Sequence, residues 1–139
     1  MCMSIWRDFW AAGWGSMKIK IPFKTPTINH LYWHKGSVRI KKQTAKDLEL
    51  QIINICAKKK HKFNGKLLKV RVDIHENWFF KNGKVAQKDI ANREKFLIDC
   101  IFKGLQIDDR QIWENTMKKV DNSMEEFAVV TIEELPYEI

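Results

Sequence analysis

Polar and apolar residues alternate from Lys18 to Phe23, which predicts an opening strand. Pro22 and Pro26 then force an extended turn that leads into a basic stretch ending at Lys42. Leu48, Ile52, Ile55 and Cys56 recur at helical spacing. They predict a helix from an N-cap at Thr44 to about Lys60, with Lys58, Lys59 and Lys60 suited to its negative end. Asn64-Gly65 marks a turn, and the alternation of Leu68, Val70, Val72 and Ile74 predicts a strand to roughly Trp78, closed by Phe79 and Phe80. After a second turn at Asn82-Gly83, a helix begins at Asp89 and buries Ile90, Phe96, Leu97, Cys100, Ile101 and Leu105, with Gly104 near its end. An acidic loop, Asp108-Asp109, precedes two strands over 113–120 and 127–132, joined at Asn122-Ser123, and Glu133 to Ile139 form a polar tail. The order β-α-β-α-β-β predicts a single α+β domain, a mixed sheet packed with two helices.

The 139 residues suffice for one domain. The segment before Met17 holds three of the six tryptophans and ends in Gly15-Ser16, a common fusion scar. Residues 1–16 are therefore read as a tag or N-terminal extension, and residues 17–139 as the domain. Trp6, Phe9, Trp10 and Trp14 would share one face if that segment were a short helix. No apolar run approaches the roughly 18 residues of a membrane span. The three cysteines show neither CxxC spacing nor histidine partners, a pattern of reduced thiols that points to the cytoplasm.

Charge narrows the class of partner. Between Met17 and Met124 there are 24 Lys and Arg against 11 Asp and Glu, a surplus of 13 positive charges, whereas the segment from Glu125 to the end holds five acids and no base. A body of this kind suits a polyanion, although charge alone fits a merely soluble basic protein equally well. Lys24, Lys35, Arg39, Lys41 and Lys42 cluster around His30, Tyr32, Trp33 and His34, mixing phosphate-binding cations with rings that can stack on unpaired bases. Asn29 and Arg93 complete the candidate DNA-binding set, and the lysines around His61 form a further basic patch. The plain alternative is that the rings pack into the core and the lysines are solvated.

The chemistry-bearing segment runs from Lys88 to Gln111. Asp89 opens the second helix, where the helix dipole favours its ionised form. Asn92, Lys95 and Asp99 share one helix side by their spacing. If the following loop folds back, Asp109 joins Asp89 around a hard divalent cation, and Lys95 neutralises charge on a phosphoryl group. A helix cap, a solvated lysine and a surface turn are the structural alternatives.

The motif Asp89-Ile90-x-Asn92-x-x-Lys95-x-x-x-Asp99, followed by Asp108-Asp109-x-Gln111-Ile112, resembles the signature of RusA-type Holliday-junction resolvases. Pro22, Pro26, Thr27, Asn29 and Tyr32 resemble that family's N-terminal segment, so the likeness runs from Met17 to about Leu135. The resemblance implies a homodimeric, Mg²⁺-dependent endodeoxyribonuclease, with Mn²⁺ as a substitute ion, that resolves four-way DNA junctions by paired nicks. It takes neither a small-molecule substrate nor a membrane partner. Asp89 and Asp109 would be metal ligands and Lys95 the cation stabilising the transition state, with Asn92, Asp99 and Asp108 in supporting roles. The departure is Ala91, where the family carries a second acidic residue. Its methyl group ligates nothing, so the chain is expected to be inactivated, and we favour a substitution introduced to trap uncleaved substrate over a natural change. The alternatives are a catalytically silent junction-binding protein and a metal-independent RNA nuclease. The scattered histidines His30, His34, His61 and His75 speak against the latter.

Overall fold

The structure is a computed structural model that describes residues 15–27, 32–35, 38–59, 61, 63 and 65–136. Its main sheet holds β1 (Ser16–Ile21), β4 (Leu68–Glu76), β5 (Ile112–Asp121) and β6 (Phe127–Glu134) in the order β1-β6-β4-β5. A separate hairpin of β2 (Tyr32–Lys35) and β3 (Val38–Lys41) comes before the first helix. Helices α1 (Gln43–Ala57) and α2 (Ile90–Leu105) complete the fold. The predicted α+β class and the order of sheet strands and helices hold, with the hairpin inserted where an extended basic stretch was expected.

Alternation explains the sheet. Leu68, Val70, Val72 and Ile74 of β4, Ala128, Val130 and Ile132 of β6, and Ile19 and Ile21 of β1 are all buried. They meet Ile52 and Cys56 of α1 and Phe96, Leu97, Cys100 and Ile101 of α2 in one core. Strand β4 pairs antiparallel with β6 and parallel with β5, and α2 is the crossover that the parallel pair requires.

Element boundaries differ from the sequence reading in instructive places. Strand β1 begins at Ser16, which pairs with Glu133, and the Gly15 carbonyl accepts from Glu134 N–H at 2.9 Å, so the apparent scar residues extend the sheet. Helix α1 starts one residue before Thr44 and has Lys42 at its N-cap without a side-chain cap. It stops at Ala57, short of the expected Lys60. Trp78 lies beyond the end of β4 yet is fully buried.

Gly104 does more than approach a helix end. A Cβ built there would sit 2.9 Å from Cys56 Cβ and 3.0 Å from Ile53 Cα, so its bare backbone sets the α1–α2 spacing. The helix itself ends at Gln106, whose left-handed φ of 58° lets Ile107 N–H return to Phe102 O at 3.0 Å. Overpacking at this contact outweighs the helix-propensity gain of alanine. Gly104→Ala should therefore lower unfolding stability by roughly 1–3 kcal/mol, read from a denaturant midpoint shift at unchanged m-value.

Candidate functional site

Asp89 is the N-cap of α2. Its Oδ1 accepts from the Ala91 N–H at 2.9 Å, which fixes the carboxylate over the first turn, and the residue is exposed. Ala91 itself is exposed on that turn, one helical turn before Lys95 and on the same side. Lys95 is exposed and lies 3.8 Å from Asp99, an i,i+4 pair. Asn92 is partly buried beside them.

Beneath this turn lies a charged knot. Glu76, the last residue of β4, continues the inward alternation and is only 1% exposed. Arg93 Nε donates to Glu76 Oε1 at 2.9 Å, and Lys88 Nζ reaches Oε2 at 3.1 Å. Arg93 also donates from Nη1 to the Asp89 carbonyl at 2.9 Å, tying the ion pair to the residue that carries the exposed carboxylate. Trp78 is the platform: Arg93 and Lys119 lie 5.2 and 4.9 Å from its ring centre, and its backbone N–H donates to Asp121 Oδ1 at 3.0 Å. Lys119 Nζ donates to the Lys88 carbonyl at 2.8 Å, so the far end of β5 holds the segment leading into Asp89.

The second acidic position is elsewhere. Asp108 caps a single 3-10 turn over Asp109–Gln111, accepting from the Arg110 N–H at 2.9 Å and facing its guanidinium at 2.7 Å. The Arg110 side chain holds the Asp108 carboxyl below its ordinary value. Gln111 fastens the turn by donating to the Phe63 and Lys66 carbonyls at 2.6 and 2.9 Å. Asp109 is exposed on this turn.

Within one chain Asp89 and Asp109 do not meet. Asp109 precedes Ile112, which pairs with Leu68 at the start of β4, whereas Asp89 follows Lys88, which binds Glu76 at its end. The 16 residues of α2 between them span about 24 Å. The expectation that the post-helix loop folds back onto Asp89 is therefore corrected. The loop instead feeds directly into β5, which runs parallel to β4 and opposite to α2. Among the described residues no group of three His, Cys, Asp or Glu is placed to hold a metal ion. Among the described residues, one copy does not bring Asp89 and Asp109 together around a cation.

The candidate DNA-binding residues divide. Arg93, only 6% exposed, is spent on Glu76 and Asp89, and the DNA contact expected of it is replaced by a structural role. Lys24 is exposed and 3.6 Å from Glu126, a surface pair readily exchanged for phosphate. Lys42 sits at the α1 N-cap, its carbonyl accepting from Lys46 N–H. The hairpin register sets Tyr32 across from Lys41, His34 across from Arg39, and Lys35 across from Val38. Asn29 and His30 lie outside the described residues. Glu76 and Lys119 had no place in the sequence reading, and Trp78 and Lys88 entered it only as the end of a strand and the start of the candidate segment. Their signal was a glutamate at an inward position of an alternating strand, which demands a cationic partner.

The sequence profile of endodeoxyribonuclease RusA matches residues 22–133. The profile spans most of the chain and includes β4, α2, β5 and the turn bearing Asp108 and Asp109. The fold and its acidic helix and turn thus belong to a class of DNA endonucleases. The chain is a member of the RusA family, whose enzymes resolve Holliday junctions and generally depend on divalent metal. Among curated proteins none matches it. No helix among the described residues is long and apolar enough to cross a membrane.

Two outcomes test this local architecture. Glu76→Gln leaves Arg93 buried without its counter-charge and should cost about 3–5 kcal/mol in chemical denaturation. Because Asp108 is held below its ordinary value, its pairing with Arg110 persists above that value and is lost as pH falls through the lowered one. In an NMR titration Arg110→Gln should move the Asp108 midpoint upward towards 3.8.

Proposed function

We propose that this chain is a Mg²⁺-type Holliday-junction resolvase that acts as a homodimer in the cytoplasm, cutting by paired symmetric nicks, and that Ala91 suppresses its cleavage. Mn²⁺ would serve as a substitute ion. The observation that carries the reading is the exposed, capped Asp89 and the exposed Asp109 in a basic body otherwise suited to DNA. Since these two carboxylates sit at opposite ends of the domain, a shared site needs Asp89 from one copy and Asp109 from another. A divalent ion held between them and a DNA phosphate would supply charge compensation at the scissile group.

The chain's own residues have definite parts in this reading. Asp89 is oriented by the Ala91 N–H and by the Arg93–Glu76 pair below it. Lys95 projects from the same exposed side as position 91, where it can meet phosphate and neutralise developing charge. Lys24 and the β2–β3 hairpin supply sequence-independent contacts to the junction backbone.

Position 91 decides between cutting and holding. An acid there would join Asp89 on the first turn of α2; an alanine removes that ligand while leaving the cap intact. This observation also favours the second reading, a protein that binds junctions and does not cleave them. Ala91→Asp separates the two. The acid is placed favourably at a helix N-terminus and one turn before Lys95, so the variant should fold at least as stably as the parent. With Mg²⁺ or Mn²⁺ it should cleave a synthetic four-way junction roughly 100-fold faster than the parent, with linear duplex left intact. Junction binding by gel shift with no cleavage in either ion, from a folded Ala91→Asp protein, would establish the silent binder instead.

A further inference from the structure

A short hairpin stands between the end of β4 and the start of α2. Ala86 N–H donates to the Trp78 carbonyl at 2.9 Å and Phe80 N–H to that of Lys84 at 2.7 Å, with Phe79 facing Val85 as an isolated antiparallel bridge. The chain reverses through Lys81-Asn82-Gly83, where Gly83 takes a left-handed φ of 84° and its N–H donates to the Phe80 carbonyl at 2.9 Å. The base of the hairpin is anchored. Trp78 and Ala86 are buried, and Trp78 Nε1 donates to the Ile74 carbonyl at 3.0 Å. Lys88 Nζ donates to the Asn77 carbonyl at 2.5 Å while it also holds Glu76, so the hairpin shares its footing with Asp89.

Beyond that footing the hairpin presents apolar side chains to solvent. Phe79 is 41% exposed, Phe80 54% and Val85 63%. Phe79 and Val85 are a pair without hydrogen bonds between them, so their side chains adjoin on one face, and alternation directs Phe80 to the other. Exposed apolar surface with a polar rim marks a binding site. The rim here identifies the ligand. Residues 77–88 carry three lysines and no acid, and Lys81 and Lys84 are exposed at the tip. Rings interleaved with cations suit the bases and phosphates of a nucleic acid.

We infer that this hairpin is a two-sided wedge that enters the branch point of a DNA junction, Phe79 stacking on the base at one face and Phe80 on the base at the other. Lys81 and Lys84 hold the flanking phosphates. The inference rests on the junction reading above and deepens it by naming residues that tell a junction from a duplex. Inserting a ring into linear duplex requires parting a continuous base stack, which is costly. At a branch point the stack is already interrupted where the arms meet, so the same rings gain their contacts at lower cost. Val85 and Asp89 are four residues apart, at most about 14 Å of extended chain. The wedge therefore keeps the branch point within about four nucleotides of the Asp89 carboxylate.

The test uses the full chain and a synthetic four-way junction carrying 2-aminopurine beside the branch point, against a linear duplex of the same sequence, without divalent ion so that nothing is cut. Binding should raise 2-aminopurine fluorescence in the junction and leave it unchanged in the duplex, because only at the branch point does the base leave its neighbours. Phe79→Ala and Phe80→Ala should each weaken junction binding about tenfold, and the double variant should abolish the fluorescence rise. Duplex affinity should change by less than about twofold, since it rests on phosphate contacts, and the denaturant midpoint should stay put because both rings are exposed. Phe80→Trp, which still stacks, should keep junction affinity within about twofold, whereas Phe80→Leu, apolar without a ring, should lose as much as alanine. A double alanine variant with the parent's junction affinity and fluorescence rise overturns the wedge, leaves the junction reading standing and points the rings to a protein partner. Equal losses on junction and duplex, a leucine as good as phenylalanine, or a junction preference without a fluorescence rise overturn the wedge as well. A parent that binds the two DNAs alike, with no rise in either, overturns the wedge and the junction reading together.

Discussion

The structure depends on the buried ion pair between Glu76 and Arg93. A carboxylate at the inward end of β4 is tolerable only with a counter-charge, and the guanidinium that supplies it comes from the first turns of α2. Arg93 has donors left over after binding Glu76, and one goes to the Asp89 carbonyl. The start of the helix is thereby fixed to the end of the strand. Lys88 and Lys119 close the knot around Trp78, a ring that both excludes water and presents its face to cations. The exposed Asp89 carboxylate stands on this base, with its own cap bond as the final constraint.

Parallel pairing has a geometric cost that runs through the whole molecule. A crossover helix between parallel strands begins at the end of one and finishes at the start of the next. Residues at the two ends of α2 are consequently a helix length apart, and a motif compact in sequence is divided in space. The acidic pair at 108–109 is also internally divided. Arg110 forms its ion pair with Asp108, and Gln111 anchors the turn on which Asp109 is exposed. The inward strand alternation, the crossover and the anchored turn together determine which carboxylates are available and where.

Much of this was legible in sequence because it rests on periodicity. The buried faces of β4, β6 and α2 follow directly from apolar spacing, and so does the position of Asp89 at a helix start. Three features were not legible, each for a physical reason. The β2–β3 hairpin has four-residue strands, too short for alternation to stand out among basic residues. Arg93 looked like a phosphate ligand because a cation on a helix is usually solvated; only the inward charge at Glu76, thirteen residues from Asp89, reveals its partner. The relation of Asp89 to Asp109 could not be read locally, since it depends on whether β5 lies parallel or antiparallel to β4.

Fold and chemistry separate cleanly at position 91. The Asp89 cap uses the backbone N–H of residue 91, which any residue except proline supplies, so the side chain there contributes nothing to holding Asp89 in place. An alanine is also a strong helix former and sits exposed, so it imposes no packing penalty. The positioning apparatus beneath it, Glu76, Arg93 and Trp78, is complete without a carboxylate at 91. The scaffold that holds Asp89 thus keeps its geometry whatever side chain other than proline's stands at position 91.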